Sequence, residues 1–255
     1  MYNLKKALLC TEKMKTYFQQ TALDATVEIP SEIKKGSNEH IIYIFYSCLL
    51  DYGMRSKIYH SNLINTYNNY KNIFNPKYVI INYSKNNQEL LNIIKESIHH
   101  RYPNIALKKW LALSKFLYNN YPNEKLQEKI LSLNTYEELY KFINNINGYG
   151  QKTGGLLVRL IYESHLCNFQ DDIQNIPIDR HDIEISYLND IINHKNLNKE
   201  EISMLSKTWI KAAKEKNISP CDIDKYLWSI GNNLCTKKKC DICPLNQNCK
   251  KTKEF

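Results

Sequence analysis

The sequence has few glycines, few prolines and no long apolar stretch, and each scarcity limits what the chain can be. With 7 glycines and 7 prolines in 255 residues, no Pro- or Gly-rich linker divides the chain, and no internal repeat is visible. No segment approaches the roughly 20 apolar residues that a membrane-spanning helix needs. The N-terminus "MYNLKKALLC" lacks both a long apolar run and a small-residue cleavage site. We therefore expect a soluble, intracellular chain without a membrane partner: cytoplasmic or nucleoid-associated, or nuclear in a eukaryote.

Acidic residues are also in the minority. The 26 Asp and Glu residues face 35 Lys and Arg residues, which gives a formal net charge of +9. Such a surplus favours polyanionic partners through phosphate neutralisation, although it does not require one. The hydrophobic fraction of 43% is ordinary for a globular protein and too high for a disordered one. The length suffices for one large domain or two small ones.

Apolar residues recur at helical spacing along most of the chain. The clearest examples span residues 39–53, 56–70, 86–100 and 104–122. Their apolar faces, which include Ile58, Ile105 and Trp110, are assigned to the core. Irregular structure is expected at residues 24–40 and 168–176. The fold class predicted from this pattern is all-α.

Four of the seven glycines fall within "NINGYGQKTGG", residues 145–155. Before them, Thr135 and Glu138 have the spacing of a capping box at the start of an apolar helix. After them, a second apolar stripe predicts another helix. Gly148 and Gly150 permit positive φ and let a partner approach the backbone. The free N–H groups at the start of the second helix favour an anion there, most simply a phosphate.

Two charged residues are placed at predicted helix starts. Lys152 lies in the first turn after the hairpin, where the helix dipole disfavours a cation by roughly 0.3–1 kcal/mol. Its surroundings alone leave two roles open, a phosphate contact or an amine nucleophile. Asp179, in "NIPIDRH", is placed as an N-cap worth about 1 kcal/mol, and its carboxylate can also face a developing cation. Asp171 and Asp172 compete for that second role but do not abut a helix start.

The C-terminal cysteines have the spacing C-x4-C-x2-C-x5-C, which indicates a metal site rather than a disulfide framework in an intracellular chain. These residues are Cys235, Cys240, Cys243 and Cys249. By spacing alone, zinc and a [4Fe–4S] cluster are near parity. The other cysteines, Cys10, Cys48, Cys167 and Cys221, are expected to be buried or idle.

Taken together and in this order, the three motifs resemble those of the helix-hairpin-helix DNA glycosylase superfamily, in its endonuclease III branch. The matching pieces are "GYGQKT" (148–153), "IPIDRH" (176–181) and the four-cysteine loop after "YLWSIGNNLC". The resemblance covers about residues 41–250. It implies an all-α fold of two domains, with residues 41–177 carrying the hairpin. Residues 1–40 and 178–255 would form the second domain with the cluster loop.

The resemblance also implies an activity: a bifunctional DNA glycosylase/AP lyase of base excision repair that acts as a monomer on double-stranded DNA. Lys152 would attack C1′ of the damaged nucleotide and form a Schiff base that permits β-elimination, while Asp179 would stabilise charge at C1′. An oxidised pyrimidine is the leading candidate base, with 8-oxoguanine or a modified or mismatched pyrimidine as alternatives. A monofunctional glycosylase, in which Lys152 contacts phosphate, is another alternative. A non-catalytic DNA-binding protein with a structural zinc belongs to a different class.

Further site residues follow from the same resemblance, which favours a structural [4Fe–4S] cluster over zinc at the four cysteines. The predicted DNA contacts are Gly148, Tyr149, Gly150, Gln151 and Thr153 of the hairpin, and Lys237, Lys238 and Lys239 of the cysteine loop. Tyr52, Met54 and Arg55 are candidates for a wedge or base pocket, since such enzymes flip the nucleotide. The competing interpretation of these three is an ordinary turn around Gly53. Two departures from the family are a longer Lys152–Asp179 interval and a shorter spacing between the first two cysteines.

Overall fold

The computed structural model describes residues 2–21, 28–52, 54–122, 125–167, 173 and 175–252. Within these ranges the chain is helical and contains no β-strand, as predicted. The α-helices are α1 (Leu4–Gln20), α2 (Asn38–Leu49), α3 (Ser56–Tyr70), α4 (Pro76–Tyr83), α5 (Gln88–Glu96), α6 (Pro103–Asn120), α7 (Lys125–Leu131), α8 (Tyr136–Asn144), α9 (Gln151–Glu163), α10 (Arg180–Leu188), α11 (Lys199–Glu215) and α12 (Pro220–Ser229). No helix in the described ranges has the length and apolarity needed to cross a membrane.

Short helical turns complete the described secondary structure. Lys71–Phe74, Asn246–Asn248 and Lys250–Thr252 form 3-10 turns, and Ile230–Cys235 forms a π-helical turn. The π turn continues α12 and ends at the first cysteine of the C-terminal loop. Such turns are rare and often occur near functional sites.

The chain divides into two compact units. One, called here the hairpin unit, is Val27–Asp171, and the other, called the cysteine unit, combines Met1–Thr26 with Asp172–Phe255. Gly53, Asp171 and Asp172, together with residues 24–27, 168–170 and 174 of the predicted irregular segments, lie outside the described residues.

Aromatic packing forms the centre of the hairpin unit. The Trp110 ring stacks on Tyr46 with centroids 4.3 Å apart and meets Phe74 edge-on at 5.2 Å. The indole N–H of Trp110 donates to the carbonyl of Ile73 at 3.0 Å, so its polar atom is satisfied within the core. Helix α2 is buried along nearly its whole surface and contacts α6, α7 and α9. It therefore forms the central helix of this unit.

The cysteine unit has its own core, in which α1 packs on α11 and α12. Trp209 of α11 is fully buried, and its indole N–H donates to Ser186 Oγ at 3.0 Å. Ser186 in turn donates to the carbonyl of Asp182 at 2.6 Å. This chain of bonds fixes α11 against α10, the helix that begins directly after Asp179.

The predicted helices are confirmed, with corrections to which side chains they bury. The 56–70 prediction coincides with α3, and α8 carries the predicted capping box. Ile58 and Ile105, assigned to the core by spacing, are 52% and 51% exposed, because each lies at the outer edge of its apolar stripe. His100, at the end of the 86–100 stretch, is buried. Helix α1 was not predicted.

Candidate active site and cysteine pocket

The hairpin between α8 and α9 depends on a glycine at one position. Gly148 has φ +109°, and a Cβ there would lie 2.8 Å from Leu49 Cδ1 of α2. The positive φ therefore requires glycine, and an added Cβ would in addition force the Leu49 side chain to shift. Gly150 instead has φ −113°, and no heavy atom lies within 4 Å of the position that a Cβ would take, so its outer side is open.

Side chains of the hairpin point in two directions. Tyr149 is buried and its hydroxyl donates to the carbonyl of Phe45 at 2.6 Å, which ties the hairpin to α2. Thr153 is buried too, and its Oγ1 accepts the Gly150 N–H at 3.1 Å. Gln151 is partly exposed and Lys152 is exposed in the first turn of α9. Of the predicted DNA contacts here, the side chains of Tyr149 and Thr153 therefore serve the hairpin itself.

The segment between α2 and α3 holds the predicted wedge residues. The Tyr52 N–H donates to the carbonyl of Leu50 at 2.7 Å, and Arg55 is exposed just before α3. The Tyr52 ring meets His100 edge-on at 5.0 Å, and Lys109 Nζ lies 4.0 Å from its centroid. Met54 is partly exposed. Lys109 was not predicted, because a lysine next to Lys108 on a long amphipathic helix carries no distinguishing signal in the sequence.

Asp179 forms the N-cap that the sequence predicts. Its Oδ1 accepts the backbone N–H groups of His181 at 2.6 Å and of Asp182 at 3.3 Å. The Asp179 N–H donates back to Asp182 Oδ2 at 2.7 Å, which completes a capping box with an aspartate at N3. The Asp179 side chain is half-buried. Its position is thus fixed by the start of α10, with Oδ1 committed to backbone donors.

A close helix contact joins α10 to the segment that leads into the cysteine loop. A Cβ on Gly231 would lie 2.5 Å from His181 Cβ, so the π turn approaches α10 at a distance that only glycine permits. The Thr236 Oγ1 donates to the Gly231 carbonyl at 2.6 Å and tightens that turn. The start of the cysteine loop is therefore packed against the helix that Asp179 caps. Nothing in the sequence around Gly231 indicates this contact, so it could not be predicted.

All four cysteines of the C-terminal loop line one pocket of the cysteine unit. The remaining walls are largely apolar and include Ile185, Leu188, Ile230, Leu234 and Leu245. The eight cysteines of the chain, which all lie in the described ranges, form no disulfide. Within those same ranges, no three His, Cys, Asp or Glu side chains stand in a geometry that already holds a metal ion. The pocket therefore brings the predicted ligands together without fixing a coordination geometry.

Burial and the proximity of the thiols to one another change the pKa values of the cysteines in this pocket. Chiefly by burial, the pKa of Cys243 is raised to about 11, with the Leu245 backbone opposing the change and Cys249 adding to it. Burial likewise raises the pKa of Cys235. Cys10 of α1, expected to be buried or idle, is buried, and burial raises its pKa to about 12, with Lys13 and Lys6 opposing the change and Cys249 and Cys243 adding to it. Four clustered thiols suit a soft metal or an iron–sulfur cluster, which binds them as thiolates.

The lysines of the cysteine loop are all exposed. Lys237, Lys238 and Lys239 follow Cys235, and no carboxylate oxygen lies within 4 Å of their ammonium groups among the described residues. Lys238 has φ +55°, and the Lys239 N–H donates to the carbonyl of Leu234 at 3.0 Å. The loop thus presents three uncompensated positive charges to solvent.

Comparison with known proteins identifies the architecture. The sequence matches no protein-family model and no curated protein. Its fold is similar to that of the 8-oxoguanine DNA glycosylase of Methanocaldococcus jannaschii, with a TM-score of 0.55 and 16% identity over 87% of this chain and 84% of that one. The chain has a DNA-glycosylase fold. The same archaeal glycosylase/lyase in complex with a 15mer DNA containing 8-oxoguanine gives a TM-score of 0.54, with 15% identity over 87% of this chain and 86% of that one.

Within this glycosylase fold, the two residues predicted to be catalytic belong to different units. Lys152 lies in the hairpin unit and Asp179 in the cysteine unit. Each stands at a helix start, with Lys152 in the first turn of α9 and Asp179 at the N-cap of α10. The backbone at both positions is therefore defined by a helix start.

Proposed function

We propose that this protein is a DNA N-glycosylase with AP lyase activity, in which Lys152 is the nucleophile and Asp179 the supporting carboxylate. The observation that carries the proposal is the exposed Lys152 in the first turn of α9, directly after a hairpin that Gly148 and Tyr149 fix to α2. The likeness of the fold to a glycosylase/lyase supports it. The net charge of +9 suits double-stranded DNA as the partner.

The proposed reaction is a displacement followed by an elimination. The flipped-out nucleotide presents C1′ to the Lys152 amine, the Nζ–C1′ bond forms, and the glycosidic C1′–N bond breaks. The departing base keeps the electron pair of that bond and takes up a proton. Asp179 faces the positive charge that develops at C1′. Ring opening gives an imine, loss of a C2′ proton expels the 3′ phosphate, and water finally releases Lys152.

Two observations point to different bases. The fold resembles that of a protein bound to DNA containing 8-oxoguanine, which favours an oxidised purine. The four-cysteine loop and its preceding "YLWSIGNNLC" resemble the endonuclease III branch, which favours an oxidised pyrimidine. Matched duplexes that carry either 8-oxoguanine or thymine glycol at one position separate the two. Excision of only one base assigns the substrate class, and excision of neither points to a modified or mismatched pyrimidine.

We further propose that Cys235, Cys240, Cys243 and Cys249 hold a [4Fe–4S] cluster with a structural role. The donor set of four thiols in one apolar pocket, with no disulfide among the chain's cysteines, supports a soft metal centre. When bound, the cluster would supply a covalent anchor for the loop that carries Lys237–Lys239. Protein purified without oxygen should be brown, absorb near 400 nm and contain iron. Zinc in place of iron would support the structural-zinc alternative.

Serine substitution of one predicted ligand and of one other cysteine tests the ligand assignment. Cys240→Ser should lower the iron content per chain, because it removes one of the four predicted ligands. Cys167→Ser, which alters a half-exposed cysteine of the hairpin unit, is the matched control and should retain full metal content. Equal metal content in the two variants would contradict the assignment.

Borohydride trapping tests the nucleophile. Wild-type protein incubated with a duplex containing one abasic site and sodium borohydride should form a covalent complex, because reduction fixes the Schiff base. Lys152→Ala should form none, and Lys141→Ala, which removes an exposed lysine of α8, should trap like wild type. If neither wild type nor variant is trapped, Lys152 is a phosphate contact and the monofunctional or non-catalytic alternatives hold.

A further inference from the structure

Lys109 of α6 lies beside the hairpin although it is distant from it in sequence. A Cβ at Gly148 would lie 4.0 Å from both Cγ and Cδ of Lys109, so the lysine stem covers the inner side of the hairpin glycine. At its other end, the ammonium lies 4.0 Å from the centroid of the Tyr52 ring. The side chain thus connects the hairpin with the segment between α2 and α3.

The Lys109 ammonium makes no ion pair with the described residues. Among the described residues, no Asp or Glu oxygen lies within 4 Å of its Nζ, although the side chain is half-buried. Removal from water lowers the pKa of Lys109, which reflects the cost of keeping the cation there. A half-buried ammonium with no carboxylate beside it is a place where an anionic ligand can bind favourably.

The polar groups nearest to Lys109 do not supply that partner. His100 Nδ1 accepts the Tyr102 N–H at 3.1 Å, so its Nε2 carries the proton and donates to the Leu50 carbonyl at 3.2 Å. Both ring nitrogens are therefore used. The Tyr52 hydroxyl is buried and makes no hydrogen bond within the described part of the chain. Within the described part of the chain, the π face of Tyr52 is therefore the contact that the Lys109 ammonium makes.

We propose that Lys109 binds a backbone phosphate of DNA, with the Tyr52 ring as the platform that holds its ammonium in position. This inference rests on the proposed function, since it assumes that DNA lies along the hairpin. A phosphate would neutralise the uncompensated cation, and three ammonium N–H donors suit its oxygens. The adjoining hairpin leaves the outer side of Gly150 open for the same strand. Lys109 would then be a DNA-binding residue of α6, in addition to those of the hairpin and the cysteine loop.

The salt dependence of DNA binding measures this contact. The probe is a duplex with one tetrahydrofuran site, an abasic analogue that cannot form a Schiff base. Each phosphate neutralised on B-DNA contributes about 0.9 to the slope of log K against log salt. Lys109→Gln should reduce the magnitude of the slope by about that amount, and Lys109→Arg should restore it. Lys115→Gln removes an exposed lysine of the same helix and should leave the slope unchanged.

The alternative outcome is a purely structural role. If Lys109→Gln lowers the thermal midpoint but leaves the salt slope at the wild-type value, the lysine only packs on Tyr52 and the proposal is wrong. If Lys109→Gln does not fold, Lys109→Met keeps the apolar stem against Gly148 and is measured in the same way. If borohydride traps the wild type but the Lys109 variants have the wild-type slope of log K against log salt, this inference alone is wrong. A wild type that neither binds DNA nor is trapped overturns the proposed function with it.

Discussion

Asp179 combines a structural contribution with the proposed chemical one. Its Oδ1 caps α10 by accepting two backbone N–H groups, and the Asp179 N–H donates to Asp182 Oδ2. The cap alone explains why an aspartate stands here, so the cap is not evidence of catalysis. The two contributions differ in what they need, because capping requires an oxygen acceptor while stabilising a cation requires a negative charge.

Substitution at Asp179 separates these contributions. Asp179→Asn keeps an acceptor oxygen, so we expect a thermal midpoint close to wild type and a loss of base excision of at least about 100-fold. Asp179→Ala should also lose about 1 kcal/mol of unfolding free energy. The control is Asn198→Ala, which removes the N-cap of α11 in the same unit and should cost stability without affecting excision. Excision by Asp179→Asn at the wild-type rate would assign the residue to capping alone.

At the level of elements, the helix–hairpin–helix of α8 and α9 contains two glycines that are under different physical constraints. Gly148 is required by its positive φ and by Leu49, whereas Gly150 has neither constraint and lies open on the outer side. The same alanine substitution at the two positions therefore tests two different properties.

Gly148→Ala should destabilise the fold by roughly 1–3 kcal/mol, because an alanine at that φ is strained and its methyl group would clash with Leu49. Gly150→Ala should change the unfolding free energy by less than about 0.5 kcal/mol, since the added methyl meets nothing. Urea unfolding of both variants measures the difference. Under the proposed function, Gly150→Ala should nevertheless weaken DNA binding, because its methyl group occupies the open side of the hairpin. Equal stability losses in the two variants would contradict this account.

The hairpin also shows how far the sequence predicts the fold. The positive φ of Gly148, the Thr135–Glu138 capping box and the Asp179 cap follow from local signals, and the structure confirms these three. Gly150, for which positive φ was also considered, has φ −113° instead. Contacts between distant segments have no such signal. The Lys109 stem at Gly148 and the approach of Gly231 to His181 depend on how helices pack, and neither residue stands out in its own segment. Apolar spacing likewise predicted α3 but misassigned Ile58, because periodicity does not give the width of the buried face.

On the scale of the whole molecule, the hairpin unit buries several histidines. His40, His60 and His100 each have a pKa below the ordinary value, in every case chiefly because burial disfavours the charged ring. Asp51 opposes the effect at His60, and the Leu50 and Tyr102 backbone groups oppose it at His100. Protonation of His100 at Nδ1 would also remove its bond from the Tyr102 N–H. The folded unit therefore favours neutral histidine.

This preference predicts the direction of the pH dependence of stability. The pKa of histidine in an unfolded chain is about 6.5. Between that pH and the lowered pKa of the folded state, the unfolded chain binds more protons than the folded one. The free energy of unfolding should thus be greatest above about pH 7 and should fall as the pH is lowered towards about 5.5. Each such histidine contributes at most about 1.4 kcal/mol per pH unit.

One substitution assigns part of this loss to His100. In His100→Asn the amide oxygen can accept the Tyr102 N–H without any titrating group, so urea unfolding should show a smaller stability loss between about pH 7.5 and pH 5.5 than in wild type. His99→Asn is the neighbouring control: His99 is exposed at φ +56°, a conformation that asparagine tolerates, and its substitution should leave the pH dependence unchanged. The same loss in His100→Asn as in wild type would mean that the buried imidazole is not the group that titrates. A reduced loss would show that acid destabilises the hairpin unit by protonating His100. This residue precedes α6 and packs against Tyr52, the ring that Lys109 also contacts.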